Sequence, residues 1–165
     1  MKNHERLYTW FHDVWINGRT ELIEPMFHPD LNMKGPLHGA VTAAEDYAEV
    51  VMTLKARLTG LELEKTHGLD DGNLSCVRIH VTGTGFGGAG PLDYFGVLVV
   101  EFKDGQIRDF LSNFDYVTML EQLGQLPPEC LPICMTGERL IWASDAGKSG
   151  SSPEDERAQT PAQRT

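Results

Sequence analysis

The chain has 165 residues, 41% hydrophobic and 23% charged, enough for one ordinary domain to bury a core without a disulfide or metal staple. Twenty-four acids against fourteen Lys+Arg give a formal net charge of −10 with no basic stripe to offset it, which disfavours a nucleic-acid partner. Three cysteines cannot all pair and no apolar stretch follows Met1, so the expected compartment is the reducing cytoplasm, and the longest apolar run, Tyr94 to Val100, is too short to cross a bilayer.

Leu7, Trp10, Phe11, Val14 and Trp15 recur at three- and four-residue steps and predict a helix with one apolar stripe. Asn17-Gly18 is its stop, since both residues tolerate a left-handed C-terminal turn. A short helix is expected over 20–26, with Leu22, Ile23 and Phe27 inward, then a brief strand over 31–33 before Gly35-Pro36. Residues 42–58 carry Ala43, Tyr47, Val50, Val51, Leu54 and Leu58 at helical spacing, with Gly60 as the expected stop.

From Leu61 the period changes to two. A strand is expected over 61–67, a turn at Asp70-Asp71-Gly72-Asn73, and a strand over 74–84 that alternates Val77, Ile79 and Val81 with Arg78 and His80. Residues 92–102 are apolar on both faces and predict a central strand. Lys103-Asp104-Gly105-Gln106 reads as a hairpin turn, 107–114 as the last long strand, and Asp115 as the cap of a helix running to Gly124. Helices followed by an antiparallel meander make an α+β layout. Residues 127–145 form an apolar extension expected to cover a groove on the domain or on a partner subunit. Residues 146–165, rich in Ser, Pro, Gly, Gln and charge, are expected to be disordered.

Gly83-Thr84-Gly85-Phe86-Gly87-Gly88 matches a dinucleotide-binding pattern. Such a site requires a helix directly after the glycines, whereas Pro91 and a strand follow, so the match reads as a flexible hairpin that could form a lip over a pocket. No two histidines stand at i, i+4 on a helix and no cysteine cluster completes a zinc site, so neither metal nor organic cofactor is expected.

The helix end Trp15-Ile16-Asn17-Gly18-Arg19, followed by residues 21–30 (ELIEPMFHPD), resembles the opening of nuclear transport factor 2-like proteins. Val81-Thr82-Gly83-Thr84-Gly85, the run 102–110 (FKDGQIRDF), Phe114-Asp115-Tyr116 and 120–124 (LEQLG) are similar to its SnoaL-like polyketide cyclase branch, the resemblance covering about residues 5–126. It implies residues 1–126 as one cone-shaped domain, with helices on a strongly curved antiparallel sheet, a deep pocket, and a homodimer across the sheet. Members include cyclases, ketosteroid isomerases, epoxide hydrolases, dehydratases and non-catalytic binders, so fold does not fix the reaction.

Several of the family's reacting groups are absent. The isomerases' tyrosine on the first helix falls at Phe11 and their general-base aspartate at Gly35; the epoxide hydrolases' Arg-x-Asp falls at Arg78-Ile79-His80 and their second aspartate at Ser112. If the resemblance sets the facing, Arg78 and His80 look into the pocket with Tyr94, Gly96, Leu98, Phe110, Ser112 and Phe114. Periodicity alone favours the opposite, because Val77, Ile79 and Val81 form the apolar face of that strand. On the first view His80 is the acid/base, with Arg78, Tyr94 and Ser112 supporting it. Phe11, Val14, Trp15, Tyr47, Val51, Leu54, Leu98, Phe110 and Phe114 are then the substrate-binding set, with His38 and His12 at its margin. Asp115 reads as a cap and Asp109 as a surface or interface residue. The expected activity is a cofactor-independent cyclase, isomerase, dehydratase or hydrolase acting on a hydrophobic, polyketide- or terpenoid-like molecule. The alternatives are a non-catalytic binder of an apolar ligand and a dimeric interaction module using the sheet face and residues 127–142.

Overall fold

The computed structural model describes residues 1–141 and 143 and divides into two compact units, Met1–Pro128 and Glu129–Thr165. The first unit opens with helix α1 (Asn3–Trp15), which buries Leu7, Trp10, Phe11 and Val14 on one stripe. Gly18 ends the helical segment at φ +70°, a conformation glycine adopts without steric cost. A turn of 3-10 helix (Thr20–Leu22) and helix α2 (Ile23–Met26) lead into strand β1 (Phe27–Lys34). Helix α3 (Ala44–Lys55) precedes four long strands, β2 (Leu58–Asp71), β3 (Leu74–Gly85), β4 (Pro91–Lys103) and β5 (Gln106–Phe114), and helix α4 (Tyr116–Gln122) closes the unit.

The strands form one curved sheet in the order β1-β5-β4-β3-β2, with β4 at its centre as its two-sided apolar pattern predicts. The meander β2–β5 is antiparallel, but β1 pairs with β5 in parallel, so the sheet is mixed. The sequence reading saw only a short strand there and an antiparallel sheet. A helix and three strands separate β1 from β5, ample chain for a parallel return. As an edge strand β1 also tolerates Pro29, which falls where its register with β5 slips.

Helix α3 is shorter than its periodicity suggests. It stops at Lys55, whose ammonium donates to the carbonyls of Trp15 and Ile16 at 2.6 and 2.8 Å and ties the end of α3 to the end of α1. Leu58 already belongs to β2, and Gly60, at φ +59°, lies within a register shift of that strand rather than at a helix end. Asp104 and Gly105, both at positive φ, turn the β4–β5 hairpin in the conformation that matches strand twist. Asp115 caps α4, its carboxylate accepting from the Thr118 amide at 3.0 Å.

At the other end of the unit, His4 is fastened to the β2–β3 hairpin. Asp70 accepts from the His4 amide, pairs with the imidazole Nδ1 and accepts from the Ser75 hydroxyl, each at 2.8 Å. Cβ addition at Gly68 would strike the His4 ring, so the glycine is what lets the ring lie on the strand.

The core is the inner face of the sheet against α1. Residues opposite one another in the ladders share a face, so Val81 with Tyr94, Ile79 with Gly96 and Val77 with Leu98 all point inward. Trp10, Phe27, Tyr47 and Phe110 make an aromatic cluster with ring centroids 5.7–6.1 Å apart.

In the second unit Glu129 stands at φ +62° before helix α5 (Cys130–Met135), in which Leu131 and Met135 are exposed. Trp142 and the tail expected over 146–165 lie outside the described residues.

Candidate functional site

Between α1, α3, the sheet and α4 lies a cavity of about 30 Å³, room for a water molecule or two and well short of a drug-sized ligand. Of the expected substrate-binding residues, Phe11, Trp15, Leu54 and Phe114 line it, together with Tyr94 and Ser112 from the expected catalytic set. The sequence reading missed Leu58, Leu61 and Leu63 of β2, Val81 of β3, and Tyr116 and Met119 of α4. The alternation of Leu61 and Leu63 in β2 was a usable signal for two of them. Tyr116 stood in the Phe114-Asp115-Tyr116 motif but carried no sign of its direction.

Phe11 and Phe114 stack face to face, 5.6 Å between centroids and 8° between planes. Gly96 makes this possible, since a Cβ at that position would run into the Phe114 ring. The Phe11–Phe114 pair fills the middle of the space, and Trp15 tilts against Phe11 at 5.7 Å. Val14, Tyr47, Val51, Leu98 and Phe110 are buried in the surrounding core rather than in the cavity wall. Tyr47 accepts a hydrogen bond from the Trp15 indole at 3.1 Å and so fixes a wall residue from behind.

The polar groups of the lining are three hydroxyls, those of Tyr94, Ser112 and Tyr116. Burial pushes the Tyr94 phenol up, and burial pushes Tyr116 up to about 12, partly opposed by its hydrogen bond with Ser112. Both phenols therefore stay protonated at neutral pH and act as neutral hydrogen-bond donors. The lining contains no carboxylate and no imidazole. Such a wall can hold an apolar body and polarise an oxygen; it has no side chain that takes up a proton near pH 7.

Arg78 and His80 are not in this cavity. Strand pleating puts them on the outer face, because their neighbours Val77, Ile79 and Val81 take the inner one. Their partners are Val97 and Phe95, not Tyr94 or Leu98, so facing follows the periodicity rather than the family comparison. The His80 ring stacks on Phe95 at 4.5 Å, its Nε2 lies 2.8 Å from Asp93 and its Nδ1 3.7 Å from Glu64. The Arg78 guanidinium sits 4.4 Å from the same Phe95 ring. Beyond the distances to the two carboxylates nothing aims this imidazole at an enclosed space.

The remaining candidates also lie elsewhere. His38 is exposed, its Nδ1 2.8 Å from the Gly35 carbonyl, and His12 is half-buried on α1 with its ring 5.9 Å from Tyr8. Asp109 accepts from Asn32 and Lys34 at 2.9 and 2.7 Å and joins β5 to β1. Burial raises the Cys76 thiol, the opposite of activation. Gly85 is followed by a single 3-10 turn (Phe86–Gly88) and then β4, so the glycine run has no helix N-terminus for a pyrophosphate. Among the described residues no three His, Cys, Asp or Glu cluster as a metal site, and no helix is long and apolar enough to cross a membrane.

Gly35 explains one of the absent carboxylates. It stands at φ +112°, and a Cβ there would collide with the Ser112 carbonyl oxygen. The loop after β1 thus passes so close to β5 that no side chain fits at position 35, where the resemblance leads one to expect the isomerases' base.

Helices on a curved mixed sheet, enclosing an aromatic cavity with a few hydroxyls, define a protein of the nuclear transport factor 2/ketosteroid isomerase-like fold. The family model of the SnoaL-like domain matches residues 8–110, more than half of the chain, and the protein belongs to that family. Among solved structures, a proposed polyketide cyclase from Bacillus cereus is 22% identical with a TM-score of 0.65, over 72% of this chain and 78% of that one. A hypothetical protein with a ketosteroid isomerase-like fold from Catenulispora acidiphila, in complex with trimethylamine, is 15% identical with a TM-score of 0.62, over 73% and 93%. An epoxide hydrolase of Mycobacterium tuberculosis, described as LEH-like, is 16% identical with a TM-score of 0.55, over 81% and 95%. These likenesses establish the fold. No curated protein matches the sequence.

Proposed function

We propose that this protein binds a hydrophobic small molecule at the aromatic cavity and promotes a ring closure that exchanges bonds within the molecule without removing a proton, holding the reacting ends together while hydroxyls polarise an oxygen. The observation that carries this reading is the presence of three hydroxyl residues, Tyr94, Ser112 and Tyr116, in a lining that is otherwise apolar and aromatic. Orientation of a folded-up substrate lowers the entropic part of a ring-closing barrier, and neutral donors stabilise negative charge that develops on a carbonyl oxygen. Neither contribution calls for a metal or an organic cofactor. Isomerisation by proton transfer, dehydration and hydrolysis through a carboxylate or imidazole have less support, since among the described residues the lining offers neither.

A second reading, sequestration of an apolar ligand without turnover, is favoured by that same lack of a proton acceptor. One experiment separates the two. Native mass spectrometry of protein purified gently from its own host, followed by extraction, supplies the bound molecule for a turnover assay. The enzyme reading expects conversion that falls in Ser112→Ala and Tyr116→Phe; a retained molecule recovered unchanged after long incubation sinks it and leaves the binder.

We further propose a homodimer across the outer sheet face, where Val97, Val99 and Leu111 are only half-covered and Phe95 is 40% exposed. Light scattering on Val97→Asp should give a monomer where the native chain gives a dimer; a native chain that is already monomeric removes this proposal. The three free thiols fit a reducing cytoplasm, testable by cell fractionation. We propose that residues 127–145 form an extension that covers a groove, and a chain ending at Leu126 that keeps the native oligomeric state and stability argues against it.

A further inference from the structure

A second hollow lies directly outside the cavity. It is a groove of about 540 Å³ bordered by Pro36, Leu37 and Ala40 of the loop after β1, by α3 and by α4. Leu54, Tyr116 and Met119 line both spaces, so these three side chains are the partition between them. The groove is mostly apolar, and two acids, Asp46 and Glu49, stand on its α3 side. Asp46 accepts from the Thr42 hydroxyl at 2.7 Å and from the amides of Thr42 and Ala43 at 2.8 and 3.0 Å. Those bonds, the Thr42 hydroxyl first among them, hold its carboxyl below the usual carboxylate range, so it is charged at neutral pH.

We infer that cavity and groove are the two ends of one binding site for an elongated, uncharged, mostly apolar molecule bearing a carbonyl or similar acceptor oxygen. The oxygen sits among the hydroxyls of Tyr94, Ser112 and Tyr116, and the apolar body lies along α3 in the groove. The inference rests on the small-molecule reading above and adds the ligand's class and its path. Three physical arguments carry it. The cavity is too small to take a ligand alone, and the groove, which has the volume, has few donors, so each supplies what the other lacks. Leu54, Tyr116 and Met119 are the side chains whose rotamers must change to join the two spaces, and a Tyr116 that gives up its hydrogen bond with Ser112 leaves both hydroxyls free to meet the ligand's oxygen. Charge then selects the ligand. Asp46, Glu49 and a net charge of −10 repel an anion from the groove, and a cationic group carried past them into the cavity would lose its water among hydroxyls and apolar side chains that hold no counter-charge, so the end of the ligand that reaches the hydroxyls is uncharged.

The test uses the fluorescent neutral ketone 6-propionyl-2-(dimethylamino)naphthalene on the full-length protein. We expect saturable binding with blue-shifted emission. The same naphthalene without the propionyl group should bind about fivefold more weakly, the value of one hydrogen bond. Anionic 1-anilinonaphthalene-8-sulfonate should bind more weakly still. Ser112→Ala should weaken the ketone about fivefold and leave the ketone-free compound unchanged. Leu54→Trp, which thickens the partition, and Ala40→Trp, an exposed position that fills the groove without touching the core, should each weaken the ketone by about tenfold or more. Absence of saturable binding, equal affinity for the two neutral compounds, or indifference to Ala40→Trp in a correctly folded variant would each overturn the inference. The last result, together with a host ligand that is turned over, removes the two-ended site and leaves the functional reading standing. Binding as expected with no turnover of any host ligand does the reverse.

Discussion

Replacing Gly35 by Ala tests how closely the loop after β1 is held against the cavity wall. The backbone there stands at φ +112°, where a side chain is strained, and the added Cβ would overlap the Ser112 carbonyl oxygen and lie 3.1 Å from its carbon. Ser112 cannot retreat freely, because β5 is paired with β4 at that point through Leu98. The backbone conformation costs about 1–3 kcal/mol and the overlap about as much again, a loss of roughly 2–6 kcal/mol. For a chain of this size that lowers Tm by about 4–24 °C. Urea unfolding followed by tryptophan fluorescence should move the midpoint down with an unchanged slope. Gly35→Asp, which would supply the carboxylate the isomerases carry, should lose at least as much stability and gain no activity. A Gly35→Ala protein within about 0.5 kcal/mol of wild type would refute the reasoning, because the loop would then have room to move and a base could be accommodated.

Three further outcomes follow from the same geometry. His80→Ala should leave ligand affinity and turnover unchanged and cost no more than about 1 kcal/mol, since the imidazole sits on the outer face, away from the cavity, in a single hydrogen bond to Asp93; a loss of turnover in a folded variant would return it to the mechanism. For Asp70, burial raises the carboxyl but the bonds from Ser75 and His4 together outweigh it, so its folded value lies below the usual carboxylate range. Its contribution is therefore complete above that range and lost as pH falls through the folded value, so Asp70→Asn should cost about 1 kcal/mol at pH 7 and progressively less as the pH drops below 4, approximately, in unfolding titrations; a gap independent of pH would contradict this. Phe114→Ala should cost about 3–5 kcal/mol and open space beside Phe11, so that toluene raises the Tm of the variant and not of wild type; an equal response of both would mean the ring does not fill the pocket.

The fold was legible because its signals are local. The apolar stripe of α1, the alternation of Val77, Ile79 and Val81, and the turns at Asp104-Gly105 and Asp115 each follow from neighbouring residues, and each is realised. Parallel pairing of β1 with β5 was not legible, being decided by contacts some eighty residues apart, and neither was the end of α3, where Lys55 bonds to carbonyls of another helix. The site divided along the same line. Phe11, Trp15, Leu54, Tyr94, Ser112 and Phe114 reach the cavity wall because the resemblance assigned their elements correctly. His80 and Arg78 failed because a one-residue choice of facing reverses every side chain of a strand, and the strand's own alternation was the better guide. Tyr116 was missed because its direction depends on the turn at Asp115, which seats α4 over the sheet.

If the proposed function holds, neutral hydroxyls in the apolar cavity polarise an oxygen of the bound molecule. The infrared carbonyl stretch of the naphthyl ketone, recorded on the protein, reports that polarisation directly. The stretch should lie at lower frequency than in cyclohexane and return to the cyclohexane position in the Ser112→Ala/Tyr116→Phe double variant. A bound ketone that already absorbs at the cyclohexane position in wild type, or a lowered frequency that survives the double variant, would contradict it.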